Sequence, residues 1–209
     1  FTFKLKKDGK FDSGRPVTAE DVAFSLQRVV LLNKTPGFIL TQFGLNKDNA
    51  EKNIRVVNDT TVEMKIAEPM ATSFVLYCLS ANVGSIVDKA AVMAKATNGD
   101  LGNGWLKSAT AGAGNYKLTS WQASDSIILD ASAHGGKVGV KRIVIKHVAE
   151  PATQLLMLRK SDADIARDLT ADQLKGIIAS KEFAVSSSGQ ATSMYVAMNQ
   201  AVPELAKPE

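Results

Sequence analysis

Asp162, Asp164 and Asp168 stand close together, with Arg159, Lys160 and Arg167 interleaved among them. Clustered carboxylates are the raw material of general acid–base chemistry, and a guanidinium can grip a carboxylate with two hydrogen bonds. Nothing in the pattern selects one acidic pair over the others. The plain reading is a charged turn on either side of a short strand, Asp164-Ile165-Ala166. The sharper reading has Arg167 and Asp168, just past that strand's end, facing a cleft, because ligands of open α/β sheets commonly bind outside strand termini.

Other chemistry is scarce. The two histidines, His134 and His147, have no partner at metal-ligand spacing, and His147 shares a strand face with Ile145 and Ile143. The single cysteine, Cys78, lies in the apolar run Phe74 to Leu79, which suits a buried inert thiol. Gly112-Ala113-Gly114 opens like a dinucleotide fingerprint, yet Lys117 stands where the third glycine is required and a strand follows in place of a helix. Neither a phosphate-binding loop nor a Gly-x-Ser-x-Gly elbow occurs. No enzyme, no cofactor and no metal site is expected; a hydrolase is the weaker alternative.

The elements that must position these residues alternate between strands and helices. Phe1, Phe3 and Leu5 alternate with Thr2 and Lys4, a half-buried strand. Asp8-Gly9 and Ser13-Gly14 mark turns, and Thr18 caps a helix whose apolar face is Val22, Leu26, Val29 and Val30, running to about Leu32. Ile54–Val57 and Val62–Ile66 read as a hairpin. A short helix after Pro69 and a second from about 87 to 95 follow. Strands are expected over 116–121, 126–131, 141–148, 164–166, 183–185 and 193–198, with helices over 152–160 and 170–178. Glycines between 98 and 114 place a boundary near residue 108, dividing a smaller subdomain (1–108) from part of a main sheet subdomain (109–209). The class is α/β or α+β around a mixed sheet.

The net charge of +4 comes from 25 basic and 21 acidic residues that are scattered along the chain. Nucleic-acid binding calls for a clustered basic stripe and is not expected. No apolar run approaches the roughly 18–20 residues that span a bilayer. A chain that opens inside a strand is expected to be a piece of something longer.

The run Phe3 to Arg28 closely resembles the signature of bacterial extracellular solute-binding proteins, the dipeptide, oligopeptide and nickel-type receptors of ABC importers. Ala111 to Leu118, Val144 to Leu169 and Tyr195-Val196-Ala197-Met198-Asn199 agree with later blocks of that family in order and spacing. Three positions depart from it. Asp12-Ser13 stands where His-Asp is usual, Asn115 replaces a common proline, and His134 precedes Gly135-Gly136 in place of an aromatic pair.

The resemblance implies a periplasmic binding protein-like lobe with a mixed sheet and flanking helices, the second lobe being absent. It implies a monomeric periplasmic or lipid-anchored receptor that captures di- or oligopeptides and hands them to an ABC permease in the membrane. Nickel chelates, haem, glutathione and sugars are the alternative solutes, and chemosensing the alternative output. It also implies one wall of a ligand cleft here, with Asn199 as the polar contact, Tyr195 on its strand face, Arg167 meeting a carboxylate and Phe43 packing on a ligand side chain. Tyr195 and Phe43 read more readily as core residues, and Arg167 as a partner of Asp164 or Asp168. Solute binding by this chain alone is expected to be weak or undetectable.

Overall fold

Alternation decides the first strand. In β1 (Thr2–Lys4) Phe3 is half-buried between two exposed neighbours. The chain then turns through Gly14, whose φ of 86° favours glycine, and enters α1 (Ala19–Leu32). Thr18 closes a capping box with Asp21, and Asn33 ends the helix in a left-handed conformation. Short helices α2 (Phe38–Thr41) and α3 (Ala50–Asn53) lead into β2 (Ile54–Asn58) and β3 (Thr61–Met64). Next come α4 (Thr72–Leu79), a single 3₁₀ turn at Asn82–Gly84, α5 (Lys89–Met93) and a second turn at Trp105–Lys107. The meander β4 (Tyr116–Gln122), β5 (Ser126–Ala131) and β6 (Arg142–Lys146) follows, then helices α6 (Pro151–Arg159) and α7 (Ala171–Ser180).

These elements come from a computed structural model that describes residues 1–187 and 194–206. Among the described residues the strands form two antiparallel sheets, ordered β1-β3-β2 and β4-β5-β6. The expected class of helices with small sheets is present, although every described pairing is antiparallel where a mixed sheet was expected. The chain divides into two compact units, Phe1–His147 and Val148–Glu209. Residue 108, where a boundary was expected, lies inside the first unit, between β3 and β4.

The first unit's core lies where the apolar stripe of α1 meets the first sheet. Ala19, Val22, Ala23, Leu26 and Val30 recur at helical spacing and are buried with Ile54, Val62, Met64 and Leu40. Each of the larger of these side chains, Val, Leu, Ile or Met, contributes roughly 1.5–3 kcal/mol by leaving water. In contrast, no residue of β5 is fully buried, so the second sheet is half-covered along its length.

The second unit departs from expectation in its strands. Residues 164–166 and 183–185 carry no strand, and neither does 194–198; Ser193 lies outside the described residues. An extended segment becomes a strand only by exchanging backbone hydrogen bonds with a neighbour. No described strand pairing includes these three. The two helices, which satisfy their hydrogen bonds internally, form at the expected places.

Candidate functional site

The most highly connected polar cluster is built by the opening signature. Thr18 donates its hydroxyl and its backbone N–H to Asp21 Oδ2, at 2.7 and 3.0 Å. The other oxygen of that buried carboxylate, Oδ1, accepts the Lys89 N–H at 3.0 Å and stands 3.8 Å from Arg15 Nη1. Asp88, likewise buried, caps α5 by accepting the Ala91 N–H, and it also accepts the Ser13 hydroxyl at 2.6 Å and the Arg15 guanidinium. Ser25 receives the Val87 N–H at 3.0 Å. The loop after β1, the first turn of α1 and the start of α5 are thereby tied into one piece.

This arrangement anchors the three segments to one another. Burial works to raise the Asp88 pKa, but the Ser13 hydroxyl, the Ala91 N–H and Arg15 outweigh it and hold the carboxyl below its ordinary range. A carboxylate so engaged does not take up a proton at neutral pH. Among the described residues no three His, Cys, Asp or Glu side chains gather as a metal site. The sequence carried a signal for part of this cluster, the Thr18-x-x-Asp21 spacing. The pairing of Asp21 with Lys89 had none, because the two are brought together only by the packing of α5 on α1.

The three departures from the family signature are accommodated within the same unit. Asp12 Oδ1 accepts the Ser132 hydroxyl at 2.8 Å, and Ser13 serves Asp88. Asn115 Oδ1 accepts the Gly136 N–H at 2.8 Å. A Cβ on Gly135 would lie 2.7 Å from Asn115 Cα, so the glycine permits the two backbones to approach. A Cβ on Gly14 would come 3.2 Å from the His134 ring. Each unusual residue thus meets a partner that fits it.

The residues expected to touch a ligand fall in different settings. Phe43 is 1% exposed, in the core of the first unit, with its ring edge-on to Phe74 at 6.2 Å. Its carbonyl accepts the Ala67 N–H, and Gly44 beside it would clash with Ala67 if it carried a side chain. The other three belong to the second unit. Arg167 is exposed, and no ion pair among the described residues joins it to Asp164 or Asp168. Tyr195 is 85% exposed. Asn199 lies at a turn, not on a strand: its Oδ1 accepts the Ala201 N–H at 3.0 Å and its carbonyl the Val202 N–H. No described hydrogen bond connects Arg167, Tyr195 and Asn199 to one another. A shallow concavity of the second unit is lined by Ile178 and by 181–185 and Ser187, none of them among the expected residues.

Comparison with known proteins places this geometry in context. The family model described as bacterial extracellular solute-binding proteins, family 5 Middle, matches residues 1–209. The probable D,D-dipeptide-binding periplasmic protein DdpA of Escherichia coli (strain K12) is 32% identical over 179 residues, which cover 85% of this chain and 32% of that protein. Among solved structures, the ABC transporter-associated periplasmic binding protein DppA from Helicobacter pylori, in complex with the peptide STSA, is similar with a TM-score of 0.69 at 21% identity, covering 85% of this chain and 36% of that one. NikZ from Campylobacter jejuni, in complex with Ni(L-His), is similar with a TM-score of 0.67 at 21% identity, covering 85% and 33%. These structural likenesses establish the fold. The chain spans about a third of the length of the curated relatives it matches.

Proposed function

Since the chain belongs to the bacterial extracellular solute-binding proteins, family 5, we propose that it forms part of a receptor that captures di- or oligopeptides and passes them to an ABC permease. The reading rests on one observation above the rest: 32% identity, across 85% of this chain, to a protein named for D,D-dipeptide binding. The matched relatives are binding proteins, not enzymes, and the saturated carboxylates of the signature cluster suit a scaffold.

In this reading the receptor is a periplasmic monomer, and the present chain supplies one wall of its cleft. A ligand that touches both walls lowers the free energy of the closed form relative to the open one, and the permease responds to that shift. Arg167, exposed and without a described ion-pair partner, grips a ligand carboxylate. Asn199 has its Oδ1 occupied by Ala201, which leaves Nδ2 to donate to a peptide carbonyl. Tyr195 offers an exposed ring for packing. Phe43, buried against Phe74 within the first unit, does not face solvent and is assigned no ligand contact.

Calorimetric titration of the natural gene product that carries these residues tests the proposal. Micromolar binding of di- or tripeptides is expected, weakened about tenfold by Arg167→Gln through the loss of a charged hydrogen bond. Binding of Ni(L-His), or of another non-peptide solute, with no response to peptides would overturn the peptide assignment. The 209-residue chain alone, holding only one wall, should show no saturable heat with the same peptides.

A further inference from the structure

A cleft of about 290 Å³ lies wholly within the first unit, between the last turn of α1, the 34–37 turn, the Asn82–Gly84 turn and the Trp105–Lys107 turn. Its charge is one-sided. Arg28, Lys34 and Lys107 line it together with the carboxamides of Asn82 and Asn103, and no carboxylate is among the lining residues. None of the ion pairs among the described residues uses any of these three cations.

Arg28 is the fixed member. It is half-buried, and its Nε donates to the Leu101 carbonyl at 2.7 Å, which orients the guanidinium and leaves its terminal nitrogens without a described protein partner. Burial pulls its pKa below the ordinary value while Asp100 pulls it back up, and a guanidinium remains charged throughout. The Asp100 carboxylate offsets part of the Arg28 charge but is not among the residues lining the cleft. It is turned into its own loop, accepting the N–H groups of Thr97, Gly102 and Gly104 at 2.7–2.9 Å.

The walls are held in place. Gly102 sits so close to α5 that a Cβ there would lie 2.5 Å from Val92 Cγ1 and 2.8 Å from its carbonyl oxygen. On the other side a Cβ on Gly37 would lie 2.7 Å from the Lys34 carbonyl oxygen. Lys34 and Lys107 are exposed and both line the cleft. Lys34 follows the C-terminal end of α1 directly after its Asn33 cap, where it offsets the partial negative charge of the last carbonyls. A half-desolvated, oriented guanidinium flanked by two ammonium groups and two amide donors is complementary to an anion with several oxygens.

We propose that this cleft binds a small multivalent oxyanion of the carboxylate or phosphate class, at a site built from the first unit alone. None of Arg167, Tyr195 or Asn199 takes part, so the site stands or falls independently of the peptide reading.

Titration of the 209-residue chain with citrate and, separately, with inorganic phosphate at constant ionic strength would test it, followed by the amide resonances of 28–37, 82–84 and 101–107. Saturable shifts confined to these segments are expected from at least one anion. Preference for citrate assigns the carboxylate class and preference for phosphate the other. Simultaneous Lys34→Gln and Lys107→Gln, both at exposed positions, should weaken the response about tenfold or more with the remaining spectrum unchanged. Arg28→Lys, which keeps the charge but loses the fork, should weaken it while leaving the lysines intact. Absent or non-saturating shifts with both anions, or equal affinity in the double variant, would overturn the proposal.

Discussion

The two compact units differ most in what covers their apolar side chains. In the first, Leu40, Phe43, Ile54, Val62 and Met64 are sealed from water in the core that α1 and the first sheet share. In the second, Ile177 is the sole buried apolar residue among those described, while Ile165, Met194 and Val196 are 80–98% exposed. Both units nevertheless contain well-capped helices. Thr18 and Thr170 each close a capping box, and both helices end in a left-handed residue, Asn33 and Lys181. Helices therefore form from local signals in either setting, whereas strands appear only where a neighbour accepts their hydrogen bonds.

The sharpest way to break this contrast is to remove one aromatic ring from each unit. Phe43→Ala should destabilise the first unit by about 4 kcal/mol in a urea titration, because a fully buried ring leaves a cavity behind. Tyr195→Ala should change stability by less than about 0.5 kcal/mol, since its ring is already in water. Comparable losses at the two positions would show that Tyr195 is covered in solution.

Asp88→Asn comes next. It keeps the acceptor for the Ala91 N–H but loses the charge opposite Arg15. Removing one partner of a buried pair costs about 3–5 kcal/mol when the other stays buried. Arg15 is 43% exposed and can be hydrated, so about 2 kcal/mol is expected. The sign of the pH effect follows from the lowered pKa of Asp88. Its stabilisation is complete above the unfolded carboxylate value of about 4 and is lost as pH falls through the lower folded value. Urea midpoints of the variant should accordingly fall less steeply with acid below pH 4 than those of the parent.

Thr170→Ala probes the second unit. It removes the hydroxyl that accepts the Gln173 N–H, at a cost of about 1 kcal/mol to α7. Because little core couples that helix to its surroundings, faster amide exchange should be confined to 171–180. A uniform rise in exchange across both units would show tighter coupling than the burial pattern implies.

The smallest effect belongs to the exposed pair on the second sheet. The Asp130 carboxyl is held down to about 2 by hydrogen bonds from Arg142 and from Thr119. Its share of stability is present above the unfolded value and fades as pH falls toward 2. With Arg142→Gln its carbon resonance should titrate closer to the ordinary value near 3.8, with little change in unfolding midpoint.

Much of this was legible in the residues. Val22, Leu26 and Val30 announce the buried face of α1, Thr18 its start, and the turn residues 58–61 the hairpin of β2 and β3. Asp164-Ile165-Ala166 and Phe183-Ala184-Val185 carry equally good strand composition but do not pair, because composition says nothing about whether a neighbour lies alongside. Phe43 shows the same limit. Its residue type favoured the core while its loop setting left a ligand contact open, and packing against Phe74 and Ala67 decides that the ring points inward.

The cationic cleft was invisible for a related reason. Arg28, Lys34 and Lys107 are unremarkable in a chain whose charges are scattered, and they gather only when the 101–107 loop folds onto α5 and α1. By itself, then, the sequence determined what acts over a few residues: caps, turns, apolar stripes and the signature that marks the family. The tertiary structure alone decided which carboxylates are saturated, which rings are buried and which cations converge. Those properties depend on distances between residues far apart in the chain, and no local spacing encodes them.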